Sequence, residues 1–195
     1  ELRSYYGEVA ERARKKQLSR LDVHCRNFIA LSPFLVMSTA AADGSTDASP
    51  KGDVPGFVVV QDDHTLLIPD RPGNNRVDSF QNLLENPHVG LLFFVPGMNE
   101  TLRVNGRALL TIDPEILAPM SVNGKTPRAA LVVQVEEAYL HCAKALIRSR
   151  LWGPETQIDR QSFPTMGQMM ADQIGGLDPV EGQKSYEERN RNRLY

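Results

Sequence analysis

Cysteine is scarce: the 195-residue chain holds two, Cys25 and Cys142, too few and too far apart for a disulfide framework. A reducing, cytoplasmic setting is expected. No apolar run reaches the length needed to span a bilayer, and the opening ELRSYYGEVAERARKKQLSR lacks the pattern of a secretory leader. The sequence does not begin with methionine, so further residues are expected upstream. An excess of positive charge is also missing. The net charge is −2 and the basic residues are scattered, which argues against a nucleic-acid backbone as the main partner. There is no Walker loop, no GxGxxG and no GxSxG. The dipeptides His24-Cys25 and His141-Cys142 have no CxxC or HxxxH spacing around them, and adjacent side chains diverge on a helix or strand, so no metal site is expected. Asp47, Asp53, Asp62 and Asp63 have the character of turn formers, without the paired spacing of acid/base catalysts.

What remains is the composition of one ordinary globular domain, 41% apolar and 24% charged. Residues 8–16 read as an exposed helix, and 21–31 as a second with Val23, Phe28, Ile29 and Leu31 packing inward, ended by Ser32-Pro33. The basic cluster within 12–16 reads as a solvated helix face. Six strand candidates follow, at 34–41, 57–61, 65–68, 88–95, 102–111 and 129–139. Asp43-Gly44, Asp62-Asp63, Gly73-Asn74 and Pro96-Gly97 punctuate them, which suits short antiparallel connections. Residues 141–151 and 165–174 read as helices, 159–164 as loop, and the polar stretch from Asp178 onward as a solvated helix or a disordered tail. The expected layout is N-terminal helices over 1–31, a barrel over 32–140 and a helical segment over 141–195. The fold class is mainly β (α+β), a six-stranded antiparallel split β-barrel with peripheral helices.

One stretch stands out. In IPDRPGNNRVDSFQNLLENP, residues 68–87, an apolar strand gives way to a Gly/Asn turn and then to an amphipathic run ended by Pro87. Asn74 and Asn75 tolerate positive φ, and the turn lies just ahead of helical amides that lack an intrachain partner. Arg71 and Arg76 flank it, so a phosphate there could receive both guanidinium charge and backbone donors. The same residues also read as an ordinary helix capped by Asn74 with solvated arginines.

Strand, Gly-polar-polar-basic turn, short helix, Asn-Pro and apolar strand together resemble the flavin phosphate corner of the FMN-binding split barrels related to pyridoxamine 5'-phosphate oxidase. The stretches SPFLVMSTAAADG at 32–44, SPKGDVPGF at 49–57, PGMNETLRVNGRA at 96–108 and HCAKALIRSRLW at 141–152 agree with an uncharacterised bacterial subgroup of that family, in the same order. The resemblance implies an FMN-dependent oxidoreductase, a homodimer with the cofactor at the interface, a small-molecule substrate and NAD(P)H or oxygen as electron partner. It implies that Asn74, Asn75 and Arg76 hold the phosphate and that Ser49, Lys51, Gly52, Ile68 and Pro69 line the ring. Arg103 and Trp152 would close the site from across the two-fold axis. Each of these has a plainer alternative: Lys51 as an exposed lysine in a surface turn, Arg103 as part of a solvent-facing strand side, Trp152 as simple packing. The oxidase's Arg-x-Val-Leu-Leu-Lys run and its C-terminal substrate-binding Arg and His are missing, so pyridoxamine phosphate itself is not the expected substrate. A non-catalytic module carrying flavin or haem is the competing expectation.

Overall fold

The computed structural model describes residues 1–192 and 194–195. The exposed helix α2 (Glu11–Lys15) stands within the one expected over 8–16, and a further short helix, α1 (Leu2–Tyr6), precedes it and ends at Gly7, at φ 68°. In α3 (Val23–Leu31), the Asp22 carboxylate caps the start by accepting from the Cys25 N–H at 2.8 Å. Cys25, Phe28 and Ile29 share its buried face at helical spacing. Val23 and Leu31, expected to pack inward, lie off that face and are exposed.

The sheet has seven strands where six were expected. They are β1 (Phe34–Ala40), β2 (Thr46–Gly52), β3 (Val59–Asp62), β4 (Thr65–Pro69), β5 (His88–Phe94), β6 (Thr101–Thr111) and β7 (Ala130–His141). Their order is β2-β1-β5-β6-β7-β4-β3, each neighbouring pair is antiparallel, and β2 and β3 are open edges. Peripheral helices around this sheet complete a split-barrel-like arrangement. The additional strand is β2. Its sequence TDASPKG offers no large apolar side chain, and Pro50, opposite Val36, cannot donate a ladder hydrogen bond; an edge position accommodates both.

Alternation places Leu35, Met37, Leu91, Phe93, Leu102, Val104 and Val133 in one core, each almost fully buried and worth roughly 1.5–3 kcal/mol of apolar transfer. Phe28 and Ile29 of α3 join it. Helix α4 (Asp78–Glu85) packs on β1, β2 and β6, with Leu83 buried. On the other face, α5 (Pro114–Leu117) helps cover Leu67 and Ala130. β6 and β7 pair along their length except for a shift at Asn105/Gly106, where a side-chain carbon on Gly106 would sit 2.0 Å from the Gln134 carbonyl oxygen, so only glycine fits the bulge.

His141, expected to open a helix, instead ends β7; the helix that follows is α6 (Lys144–Ser149). Thr165 caps α7 (Met166–Ile174), and the polar stretch after Asp178 forms α8 (Pro179–Asn192). No helix among the described residues is long and apolar enough to cross a membrane.

Candidate functional site

Between the end of β4 and the start of α4, the chain turns through 70–77 with two non-glycine residues in the left-handed region, Asn75 at φ 59° and Val77 at φ 54°. Asparagine tolerates that conformation; a β-branched valine does so only when its surroundings hold it there. The Asn74 side-chain oxygen accepts from the Arg76 N–H at 3.0 Å, fixing the turn. Asn74 therefore caps the turn and not the helix, whose N-cap is Val77 with no side-chain cap. A left-handed residue followed by a right-handed one makes successive N–H groups converge, and among the described residues the Asp78 and Ser79 N–H groups find no protein acceptor. Arg76 lies beside them, its Nε 2.7 Å from the Asp78 carboxylate in an exposed pair.

Two hydrogen bonds fix this corner to the sheet edge. The Ser79 hydroxyl donates to Asp47 on β2, and the Asn82 amide donates to Thr39 Oγ1 on β1 at 3.1 Å. Asp47 is thus a strand residue tying β2 to α4, not a turn former.

The corner forms one end of a cavity of about 1000 Å³. Ser49, Lys51 and Gly52 line it from β2, and Pro69, Asn74, Asn75 and Arg76 from the segment after β4. Residues 125–128 and Tyr195 form the far wall. The structure brings these expected residues to one space. It does not bring the other three there. Ile68 is 2% exposed within the core. Arg103 donates to the Tyr139 hydroxyl at 2.7 Å and lies over that ring, and the Trp152 indole N–H donates to the Met98 carbonyl at 2.7 Å.

Arg71, expected to flank a phosphate, is instead engaged with a buried carboxylate and the Met120 carbonyl. Asp53, read as a turn former, is paired with Arg71, Nε to Oδ2 at 2.6 Å, with its side chain 1% exposed. The Tyr195 hydroxyl donates to its other oxygen at 2.6 Å. Burial works to raise the Asp53 pKa, but the bonds from Tyr195, the Val54 N–H and Arg71 outweigh it and hold it below the usual carboxylate range. Asp70 shows the opposite balance: burial raises its pKa, and the Lys51 and Arg128 charges only partly offset that. Lys51 sits 5.5 Å from the centre of the Phe80 ring. The cavity therefore offers an anion the converging amides and the Arg76 guanidinium, with Asp70, its pKa raised by burial, among the lining residues.

Outside the cavity, His141 carries a buried Nδ1 with no hydrogen-bond partner, and burial, then the Arg103 and Lys16 charges, depress its pKa. Burial pushes the Cys25 thiol up to about 11, which makes it inert. No three His, Cys, Asp or Glu side chains among the described residues form a metal-ligand group.

A family model described as pyridoxamine 5'-phosphate oxidase matches residues 21–142. Among solved structures, a variant of HupZ from Group A Streptococcus is 15% identical, with 62% of this chain and 99% of that chain covered at a TM-score of 0.52. HupZ itself gives 15%, 61%, 92% and 0.50 for the same four quantities. An FMN-binding protein from Syntrophomonas wolfei is 14% identical over 72% of this chain and 95% of that chain, at a TM-score of 0.44. No curated protein matches the chain.

Proposed function

Because this chain belongs to the pyridoxamine 5'-phosphate oxidase family, we propose that it binds FMN in the cavity between β2 and the 69–80 segment and acts as an FMN-dependent oxidoreductase on a small organic substrate. The observation that carries the reading is the polar corner itself: the converging amides of Asp78 and Ser79, the Asn74 turn and the Arg76 guanidinium, on a cavity of about 1000 Å³. Arg76 exchanges Asp78 for the phosphate. Ser49, Lys51, Gly52 and Pro69 border the ring, where the Lys51 charge favours a reduced, anionic flavin. Bound FMN supplies hydride or electron exchange between the substrate and a nicotinamide or oxygen. Asp70 lies on the cavity wall, where burial raises its pKa against the opposing Lys51 and Arg128 charges.

The chain acts as a homodimer in this reading. Arg103 and Trp152 lie off the chain's own cavity, which suits a role at the cavity of the partner subunit. The exposed Leu109, Leu110 and Ile112 near the end of β6 offer apolar surface for such an interface.

A carrier that holds the cofactor without turnover is the second reading. Among the described residues no histidine, cysteine or methionine lines the cavity and its tyrosine, Tyr195, is hydrogen-bonded to Asp53, so haem iron would find none of these axial ligands free on this chain while a flavin needs none. That observation favours flavin in either reading. The visible spectrum of purified protein, desalted after addition of FMN, tests the binding: retained flavin bands are expected, and a colourless protein overturns it. Steady-state NADH or NADPH oxidation by the loaded protein then separates oxidoreductase from carrier.

A further inference from the structure

Tyr195 is 142 positions from Asp53 in the sequence, yet its hydroxyl is hydrogen-bonded to that carboxylate. Two more contacts hold it. The Arg71 guanidinium lies 5.8 Å from the centre of its ring, and the Lys125 ammonium donates to its main-chain oxygen at 2.7 Å. The acceptor is not a surface carboxylate: Asp53 is 1% exposed and already paired with Arg71. A phenol on a buried ion pair, with its ring on the wall of a cavity, is more than a helix end lying on a surface.

Its carrier is also unusual. α7 and α8 pack on each other so closely that a side-chain carbon on Gly167 would meet the Pro179 carbonyl oxygen at 2.2 Å. Among the described elements, their extensive contacts are with each other. Ile174 and Val180 remain exposed on the pair.

We propose that Tyr195 is a detachable wall of the cavity, latched by its hydroxyl on the Asp53–Arg71 pair, that closes over bound ligand and sets how long it stays. The idea rests on the flavin reading for its ligand but not for its geometry. Opening breaks these three contacts and leaves the Asp53–Arg71 pair intact beneath them. Closing orders one aromatic side chain with two rotatable bonds, a small entropic cost for the area it covers.

The test compares wild type with Tyr195→Phe and Tyr195→Ala in the full chain. FMN dissociation, followed by recovery of flavin fluorescence on dilution, is expected to quicken roughly tenfold in Tyr195→Phe, the scale of one hydrogen bond to a charged acceptor, and further in Tyr195→Ala. Amide hydrogen exchange without flavin should rise in Tyr195→Ala across 47–53 and 69–80 and stay constant elsewhere. Raised exchange in a protein that takes up no FMN supports the wall and refutes the flavin reading. Unchanged exchange together with unchanged dissociation overturns the wall and leaves the flavin reading standing.

Discussion

Arg71 donates from Nε to Asp53 Oδ2 at 2.6 Å and from Nη1 to the Met120 carbonyl at 2.9 Å, so one guanidinium joins the loop following β2 to the short helical turn Ala118–Met120. Such a pair is worth most when it is broken on one side, because the abandoned charge stays buried. Arg71→Ala is expected to cost about 3 kcal/mol in urea unfolding, at the lower end for buried pairs since Arg71 keeps some exposure. The folded pKa of Asp53 lies below its ordinary 3.8, so its contribution is present above that value and is lost as pH falls beneath it. Wild type should lose stability faster than Arg71→Ala on acidification below pH 3.8.

Asp70 has the reverse sign. Burial raises its folded pKa above 3.8, so the folded chain binds more protons than the unfolded one, and the contribution is present below 3.8 and lost as pH rises through the raised value. Asp70→Asn is therefore expected to match wild type near pH 3.5 and to exceed it at pH 7. Equal stabilities at both pH values would contradict the burial argument.

Val77 holds a left-handed conformation that costs a β-branched residue about 1–2 kcal/mol. Val77→Gly should raise stability by roughly 0.5–1 kcal/mol, since glycine's greater unfolded entropy takes back part of the gain. If the strain serves ligand capture, the same variant should bind FMN more weakly despite being more stable.

His141 is depressed by burial and by the Arg103 and Lys16 charges, so below 6.5 the unfolded chain binds the proton and the folded one resists it. Stability should fall as pH drops below 6.5 in wild type and stay flat there in His141→Phe. Removing the orphaned Nδ1 should also add about 1 kcal/mol at pH 8.

The sequence made much of this visible where apolar residues alternate or cluster. β1, β4, β5, β6 and β7 all fall on expected strands because their inward side chains form the core. β2 was hidden because an edge strand needs no apolar face, and TDASPKG has none. The anion corner was legible from Gly73 to Arg76, since turn chemistry is local. The far wall was not: the Asp53–Arg71 pair is closed by the chain path and Tyr195 joins it from 142 positions away. Ile68 illustrates the opposite limit. The family resemblance placed it at the ring, but strand alternation turned it into the core.

The most direct test of the phosphate corner is a fluorescence titration of wild type and Arg76→Ala with FMN and with riboflavin, which lacks the phosphate. The account predicts that wild type binds FMN at least tenfold more tightly than riboflavin, on the scale of about 1.4 kcal/mol or more for a charge-assisted contact, and that Arg76→Ala removes most of that preference. Equal affinity of wild type for the two ligands, or a preference untouched by Arg76→Ala, would contradict it.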